Sequence, residues 1–281
     1  MKRKKFWIVF SIVFLSVAFV FAAIGVATRL KTVDVELRSR VTQSETMLEP
    51  GIIDKVKESG DFKIGKNILF MNFKENIAKI EKENPYVKVE QVIRSFPNIV
   101  RVYISERIPK YRIQDKDNAS KWYILDEDFK ILDAVTGDLK NTTYGSSNYY
   151  DKTVKISPDS LTISSYIGEF VSDEVDRVNL NSIFTGVFAR TTNYFMVKSV
   201  AIVKSNNDFS YKLIMKNTAA ENDEGCLIIL LGSSKLSEKA RKGVAAYCEK
   251  IEENKDVDLT NKKIIVEEIN GKITVTSSDI V

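Results

Sequence analysis

The side chains that could carry out chemistry are limited in type, because the 281 residues contain no histidine. The Ser-His-Asp and Cys-His nucleophile systems and the common histidine-ligated metal sites all need that residue. An enzyme built on this chain would depend on carboxylates, serine or lysine.

Two clusters bring such residues together. Asp126-Glu127-Asp128 offers paired carboxylates or a cation site, but the full calcium-binding loop is missing and this spacing at a strand end is typical of a solvated turn. Ser233-Ser234-Lys235 offers serine beside lysine without a defined motif, and Gly232 has no phosphate-binding glycine pattern around it. We therefore predict a protein that is not an enzyme and has no cofactor and no metal site.

Only two cysteines occur, Cys226 and Cys248. Two interpretations stay open, a disulfide in an oxidising exterior and a pair of small apolar residues in the core.

The positive charge is concentrated at the N terminus. The chain has 42 basic and 38 acidic residues, and Lys2, Arg3, Lys4 and Lys5 supply four of the basic ones, so the rest balances at 38 against 38. A body without net charge gives no basic face for nucleic acid, so we predict no nucleic-acid partner.

An uncharged segment, residues 6–27, follows this cluster and ends before Arg29 and Lys31. At about 1.5 Å per residue it is long enough to cross a bilayer core of about 30 Å. A cleaved signal peptide is the alternative, but its apolar region usually has only about 7–15 residues. We predict a cytoplasmic tail at 1–5, one transmembrane helix at 6–28 and a C terminus outside the plasma membrane. Its anchor residues include Phe6, Trp7, Phe14, Phe21 and Ala27.

Residues 29–109 have the pattern of a small α+β unit. Val33, Val35 and Leu37 alternate as in a strand, and a short helix follows Pro50-Gly51. The next helix has apolar residues at helical spacing and ends at Asn84-Pro85, and two strands joined by Pro97-Asn98 complete a β-α-α-β-β order. The apolar residues of that second helix are Phe70, Phe73, Ile77 and Ile80.

Residues 110–281 are predicted to form a β-rich domain. Strand patterns recur along it, and residues 136–151 are expected to be an exposed loop. Apolar residues from Leu236 to Ile251 predict one C-terminal helix, and Asn270-Gly271 between two alternating segments predicts a terminal β-hairpin.

Four short motifs occur in a fixed order between residues 65 and 109. They are Gly65-Lys66-Asn67-Ile68-Leu69-Phe70, then Pro85-Tyr86-Val87, then Arg94, Phe96 and Pro97, then Glu106, Arg107 and Pro109. With these motifs in this order, the chain resembles the FtsQ/DivIB family of bacterial cell-division proteins. Residues 38–50 depart from the pattern, because they lack the usual glycine-asparagine turn.

The resemblance implies a POTRA unit followed by a β domain, and a divisome scaffold enriched at the division septum. It implies partners of the FtsL and FtsB/DivIC type, with septal wall synthases as further candidates. It also implies that the last strand is an open edge. The predicted partner-binding residues are Arg94, Phe96, Pro97, Glu106, Arg107, Ile264, Val266, Lys272, Ile273, Thr274 and Val275.

Two other functions remain as alternatives. One is a membrane-anchored, wall-associated enzyme that uses carboxylates, which would need paired acidic residues in a concave pocket. The other is a POTRA-type secretion or transport component, for which repeated POTRA units or a barrel would be expected.

Overall fold

The fold comes from a computed structural model, which describes residues 2–38, 46–144, 147–161, 163, 166–171, 173–190, 196–205, 208–217, 225–253 and 259–280. The chain divides into two compact units, Met1–Arg107 and Ile108–Val281. Residues 39–45, which belong to the segment 38–50 that departs from the family pattern, lie outside the described residues. The side chain of the predicted anchor residue Phe6 also lies outside them.

The chain begins with a long helix, α1 (Lys2–Ala27). Its window Phe10–Ala27 is long and apolar enough to cross a membrane, and none of that window is buried in the protein. Trp7, Phe14 and Phe21 are exposed, so their rings are available to lipid. The helix is compatible with a single-pass membrane anchor.

The rest of the first unit has the predicted β-α-α-β-β order. Its elements are β1 (Thr32–Leu37), α2 (Ile52–Ser59), a 3-10 turn (Ile68–Phe70), α3 (Lys74–Glu83), β2 (Val87–Ser95) and β3 (Ile99–Glu106). The sheet order is β1-β3-β2, with β1 parallel and β2 antiparallel to β3. The helices supply Val56 and Ile80 to a core that also contains Val87, Val102 and Ile104.

Phe70 departs from the prediction, because it lies in the 3-10 turn and is 86% exposed. Two asparagine side chains explain the break. Asn67 accepts a hydrogen bond from the Leu69 amide and Asn72 from the Lys74 amide, and such caps compete with a continuous helix. The helix therefore starts after Phe73.

The second unit is built on one large sheet. Its first strands are β4 (Tyr111–Gln114), β5 (Lys121–Leu125), β6 (Ile131–Thr136), β7 (Thr143–Tyr144), β8 (Ser147–Asn148) and β9 (Val154–Ile156), with a short helix α4 (Tyr149–Lys152). The later elements are α5 (Glu174–Arg190), β10 (Val197–Ser205), β11 (Asp208–Met215), β12 (Leu227–Leu231), α6 (Leu236–Glu253), β13 (Lys262–Ile269) and β14 (Lys272–Asp279). Nine strands pair in the order β14-β13-β12-β11-β10-β9-β4-β5-β6, while β7 and β8 pair separately. The predicted fold class is confirmed: a mixed α+β chain with an N-terminal apolar helix, a β-rich domain, a C-terminal helix and terminal strands.

The predicted exposed loop at 136–151 is wrong for three of its side chains. Leu139, Tyr144 and Tyr149 are buried. The side chains of Asp138 and Asn148 accept hydrogen bonds from nearby amides and stabilise local turns, so this polar stretch also has an apolar side.

Helix α5 was not predicted, although Leu180, Ile183, Phe184 and Val187 have helical spacing and are buried. It packs against α6. A Cβ added at Gly186 would lie 2.0 Å from the carbonyl oxygen of Ser237, so the glycine permits the close helix crossing.

The two cysteines are thiols in the structure. Cys226 is buried in the core, and burial raises the pKa of its thiol to about 11. This agrees with the interpretation of Cys226 as a small apolar core residue.

Candidate partner-binding site

The strand β14 forms one edge of the nine-stranded sheet, and among the described strands it pairs only with β13. Asn270 and Gly271 join the two strands with backbone φ angles of 52° and 77°. Positive φ at both positions is the geometry of a tight two-residue hairpin turn. The register follows from the turn, with Lys272 opposite Ile269 and Val275 opposite Val266.

The hairpin register determines which backbone groups of β14 face outward. In a two-residue hairpin the residues that flank the turn exchange hydrogen bonds, and the pairs then alternate. Lys272, Thr274 and Thr276 therefore bond to β13. The amide and carbonyl groups of Ile273, Val275 and Ser277 point toward the open edge.

The two side-chain faces of β14 differ. Ile273 packs against the domain core, and Val275, directly opposite the buried Val266, is 39% exposed. Lys272 and Thr274 are exposed on the other face. An apolar stripe thus continues from the core toward the edge on one face, and a polar stripe lies on the other.

The loop before α6 fixes the hairpin in place. Lys235 Nζ lies 2.7 Å from Glu268 Oε1 and donates to the carbonyl of Gly271 at 3.0 Å. Ser234 Oγ donates to the other oxygen of Glu268 at 2.8 Å. These contacts hold the pKa of Glu268 below its usual range and raise the pKa of Lys235.

The other sheet edge, β6, is partly covered. Residues 168–171 run beside its start, where Ile131 donates to the carbonyl of Glu169 and accepts from Gly168, both at 2.8 Å. An uncovered edge presents unpaired donors and acceptors to another chain, and proteins usually protect such edges. Within the described part of the sheet, β14 has no comparable cover.

Ile264 and Val266 do not contribute side chains to this surface. Both are fully buried in the core. Their side chains face inward because they lie in the domain core, and β13, to which they belong, has strand neighbours on both sides. Ile264 and Val266 pack in the core next to the edge strand, and we no longer expect their side chains to contact a partner.

Three charged residues of the first unit were predicted to bind a partner, namely Arg94, Arg107 and Glu106. All three make contacts inside that unit. Arg94 donates to the carbonyls of Ile68 and Met71 at 2.7 and 2.6 Å. Arg107 is buried and pairs with Glu81 at 3.1 Å.

Glu106 is also buried and accepts hydrogen bonds from Thr46 and Met47. These charged side chains hold neighbouring segments of the first unit together. In the part of this unit that the structure describes, Phe96 and Pro97 are the exposed residues of the predicted set whose side chains make no such contact.

The acidic clusters that could support a carboxylate enzyme have structural contacts. Asp126 accepts from the amides of Asp128 and Lys130 at 2.9 and 2.8 Å, which closes a turn. A groove of about 420 Å³ in the first unit contains Asp61 and Glu75. Lys79 lies 2.7 Å from Asp61 and lowers its pKa, which is opposite to the raised pKa of a general acid.

The sequence did not single out Lys242 or Glu268. Lys242 Nζ donates to the carbonyl of Ile273 at 3.2 Å. Lysine and glutamate are common at exposed positions of helices and strands, so the sequence around these two residues has no distinguishing pattern. Only their contacts in the structure identify them.

The structure defines a protein with an N-terminal apolar helix, a POTRA-like β-α-α-β-β unit and a β-rich unit with an open terminal edge. Residues 53–107 match the family model described as "POTRA domain, FtsQ-type". A comparison with curated proteins finds no match. The chain therefore carries an FtsQ-type POTRA domain, which confirms the resemblance to the FtsQ/DivIB family and supports a role in cell division.

Proposed function

We propose that the chain is a non-enzymatic scaffold of the cell-division machinery, anchored once in the plasma membrane and enriched at the septum. Its N terminus lies in the cytoplasm, and residues 29–109 and 110–281 serve as POTRA domain and β domain outside the membrane. It binds proteins of the FtsL and FtsB/DivIC type and helps assemble septal wall synthesis.

The open edge of β14 is the observation that carries this proposal. A partner segment adds to it as a further strand, and the outward amide and carbonyl groups of Val275 and Ser277 provide main-chain hydrogen bonds. The partner's alternate side chains meet Val275 on one face and Lys272 and Thr274 on the other, which supplies selectivity.

The contacts around the hairpin favour binding because they reduce the ordering cost. Lys235 holds the turn through Glu268 and Gly271, and Lys242 holds the strand at Ile273. A strand that is already ordered loses less conformational entropy when a partner adds to it.

The substitution Val275→Pro tests strand addition directly. Proline removes the outward amide of Val275 but no hydrogen bond to β13, and proline is tolerated on edge strands in this orientation. We expect the full-length protein to stay folded and to lose capture of the FtsL- and FtsB/DivIC-type proteins in co-purification from detergent extracts.

Two control variants sharpen this test. Val275→Thr keeps the amide and the branched shape, so capture should persist, whereas Thr276→Pro removes a bond to β13 and should disturb the hairpin itself. Unchanged capture by the folded Val275→Pro protein would exclude strand addition at this edge.

Localisation tests the division role independently of the binding mechanism. A fluorescent protein fused to the cytoplasmic N terminus should form a band at midcell in dividing cells. An even distribution around the envelope would contradict the divisome role and favour an anchored enzyme or a secretion component.

A further inference from the structure

Four large apolar side chains are exposed at one end of the first unit. They are Ile64, Leu69, Phe70 and Phe96, and we refer to them as the apolar end patch. Phe70 and Phe96 are 86% and 64% exposed. Exposed clusters of large apolar side chains mark surfaces that contact a partner or a membrane.

The backbone around the patch is hydrogen-bonded to the residues that directly follow α1. Ile68 donates to the carbonyl of Thr28 at 2.9 Å, and Leu30 donates to that of Lys66 at 2.8 Å. On the other side of the chain, Lys31 donates to the carbonyl of Asn98 at 2.8 Å, next to Phe96. Both loops that carry the patch are therefore fixed at the C-terminal end of the membrane helix.

This attachment places the patch within reach of the bilayer surface. The apolar helix ends at Ala27, one residue before Thr28. The headgroup region adds about 5–7 Å on each side of the hydrocarbon core. A 3-10 turn rises about 2 Å per residue, so the Phe70 backbone is only about 4 Å along the turn from Ile68, which touches Thr28. The side chain of Phe70 can therefore lie inside the interfacial layer.

Basic residues surround the patch. Arg29, Lys31, Lys63 and Lys66 are all exposed. Two acids, Asp61 and Glu75, line the groove beside Phe70, and Asp61 is neutralised by Lys79 at 2.7 Å. Apolar side chains flanked by lysine and arginine are the composition of segments that rest on anionic lipid surfaces.

We propose that the apolar end patch docks into the lipid interface beside the protein's own anchor. The occupant of this surface is the phospholipid bilayer, with Phe70 and Phe96 inserted among the headgroups and the four basic side chains near lipid phosphates. The contact holds the first unit against the membrane, independently of whether β14 binds a partner strand.

The test uses the full-length protein in nanodiscs of anionic lipid, with tryptophan as a depth reporter. In a Trp7→Phe, Trp122→Phe background, Phe70→Trp provides the reporter. Lipids brominated near the top of the acyl chain should remove most of its fluorescence. Phe96→Trp is a second reporter, for which the same loss is expected.

The matched control is Leu37→Trp, at the partly exposed end of β1. Leu37 pairs with Ile104, whereas the residues next to the anchor pair near Ile99, so this reporter lies at the opposite end of the sheet and should not be quenched. The proposal is overturned if brominated lipid quenches neither patch reporter more than it quenches the Leu37→Trp control.

The contribution of charge is measured in the same system. Lys63→Gln combined with Lys66→Gln should reduce quenching of the Phe70→Trp reporter in anionic nanodiscs. In nanodiscs of neutral lipid the double substitution should make no difference. An equal reduction in both lipids would contradict the role assigned to the basic side chains.

Discussion

Lys242 on α6 donates a hydrogen bond to the main-chain carbonyl of Ile273 on the edge strand, across 3.2 Å. The carbonyl points outward, where the next strand of a sheet would otherwise bond. The helix thus satisfies one edge acceptor, and the edge that remains open starts at Val275. A partner strand is expected to pair from Val275 toward the C-terminal end of β14.

Replacing Lys242 by Met should loosen β14 without unfolding the domain. The methylene stem keeps its packing and the contact with the Ile273 carbonyl is lost. Hydrogen exchange of the β14 amides should become faster, while that of β10 to β12 should not change. Lys212→Met, an exposed change on β11, serves as the control, and equal exchange in β14 for both variants would show that Lys242 does not hold the edge.

Replacing Arg94 by Met should destabilise the first unit by about 1–2 kcal/mol, because two hydrogen bonds from a charged group to the Ile68 and Met71 carbonyls are lost. Chemical denaturation monitored by hydrogen exchange in β2 and β3 measures the change. Arg101→Met, on the exposed side of β3, should change stability by no more than about 0.5 kcal/mol. Equal effects of the two variants would argue against the role of Arg94 in holding the loop.

Replacing Gly186 by Ala should separate α5 from α6, because the added Cβ would approach the Ser237 carbonyl to 2.0 Å. Such overpacking typically costs about 1–3 kcal/mol. Faster hydrogen exchange in α5 is the readout, and the exposed neighbour Thr185→Ala should have little effect. If the Gly186→Ala and Thr185→Ala proteins are equally stable, α5 and α6 can move apart without cost, and the prediction is wrong.

The Glu268 contact predicts a pH dependence of the hairpin. Its folded pKa is lowered, chiefly by the hydrogen bond from Lys235, so the folded state binds the proton less readily than the unfolded chain. The stabilisation is complete above the usual carboxyl pKa and is lost as the pH falls through the lower folded pKa.

Thermal unfolding between neutral and acidic pH tests this dependence. Glu268→Gln should lower stability at neutral pH and show a weaker acid dependence than the wild-type protein, whereas Glu267→Gln should keep the wild-type dependence. If the stability of Glu268→Gln falls with acid as steeply as that of the wild-type protein, the contact between Glu268 and Lys235 is not the cause of the pH dependence.

Much of the fold was predictable from local patterns. Alternation located β1 and β3, and Asn270-Gly271 identified the terminal hairpin because positive φ is needed at both positions. The break before α3 was not predicted, because apolar spacing from Phe70 to Ile80 hides the caps at Asn67 and Asn72. Helix α5 was missed although its buried residues have helical spacing, because apolar residues such as Val175 and Val178 also lie on its exposed side.

The candidate site was predictable only in part. The edge position of β14 was inferred from the family resemblance, and local sequence does not specify it because strand order depends on pairing across the whole sheet. Arg94, Glu106 and Arg107 were predicted to bind a partner, but they make contacts inside the first unit. Their acceptors and partners, such as Ile68 and Glu81, lie far away in sequence, so no local pattern reveals them.

The parallel pairing of β1 with β3 determines the order in which the first unit can form during synthesis. Thr32 pairs with Ile99, so β1 leaves the ribosome well before β3, its partner among the described strands. Contacts between residues this distant in sequence form slowly, since a long loop must close first. The strand that directly follows α1 is therefore expected to be the last of the three to pair. Until then it would be an exposed template for incorrect pairing and a candidate ligand for a chaperone.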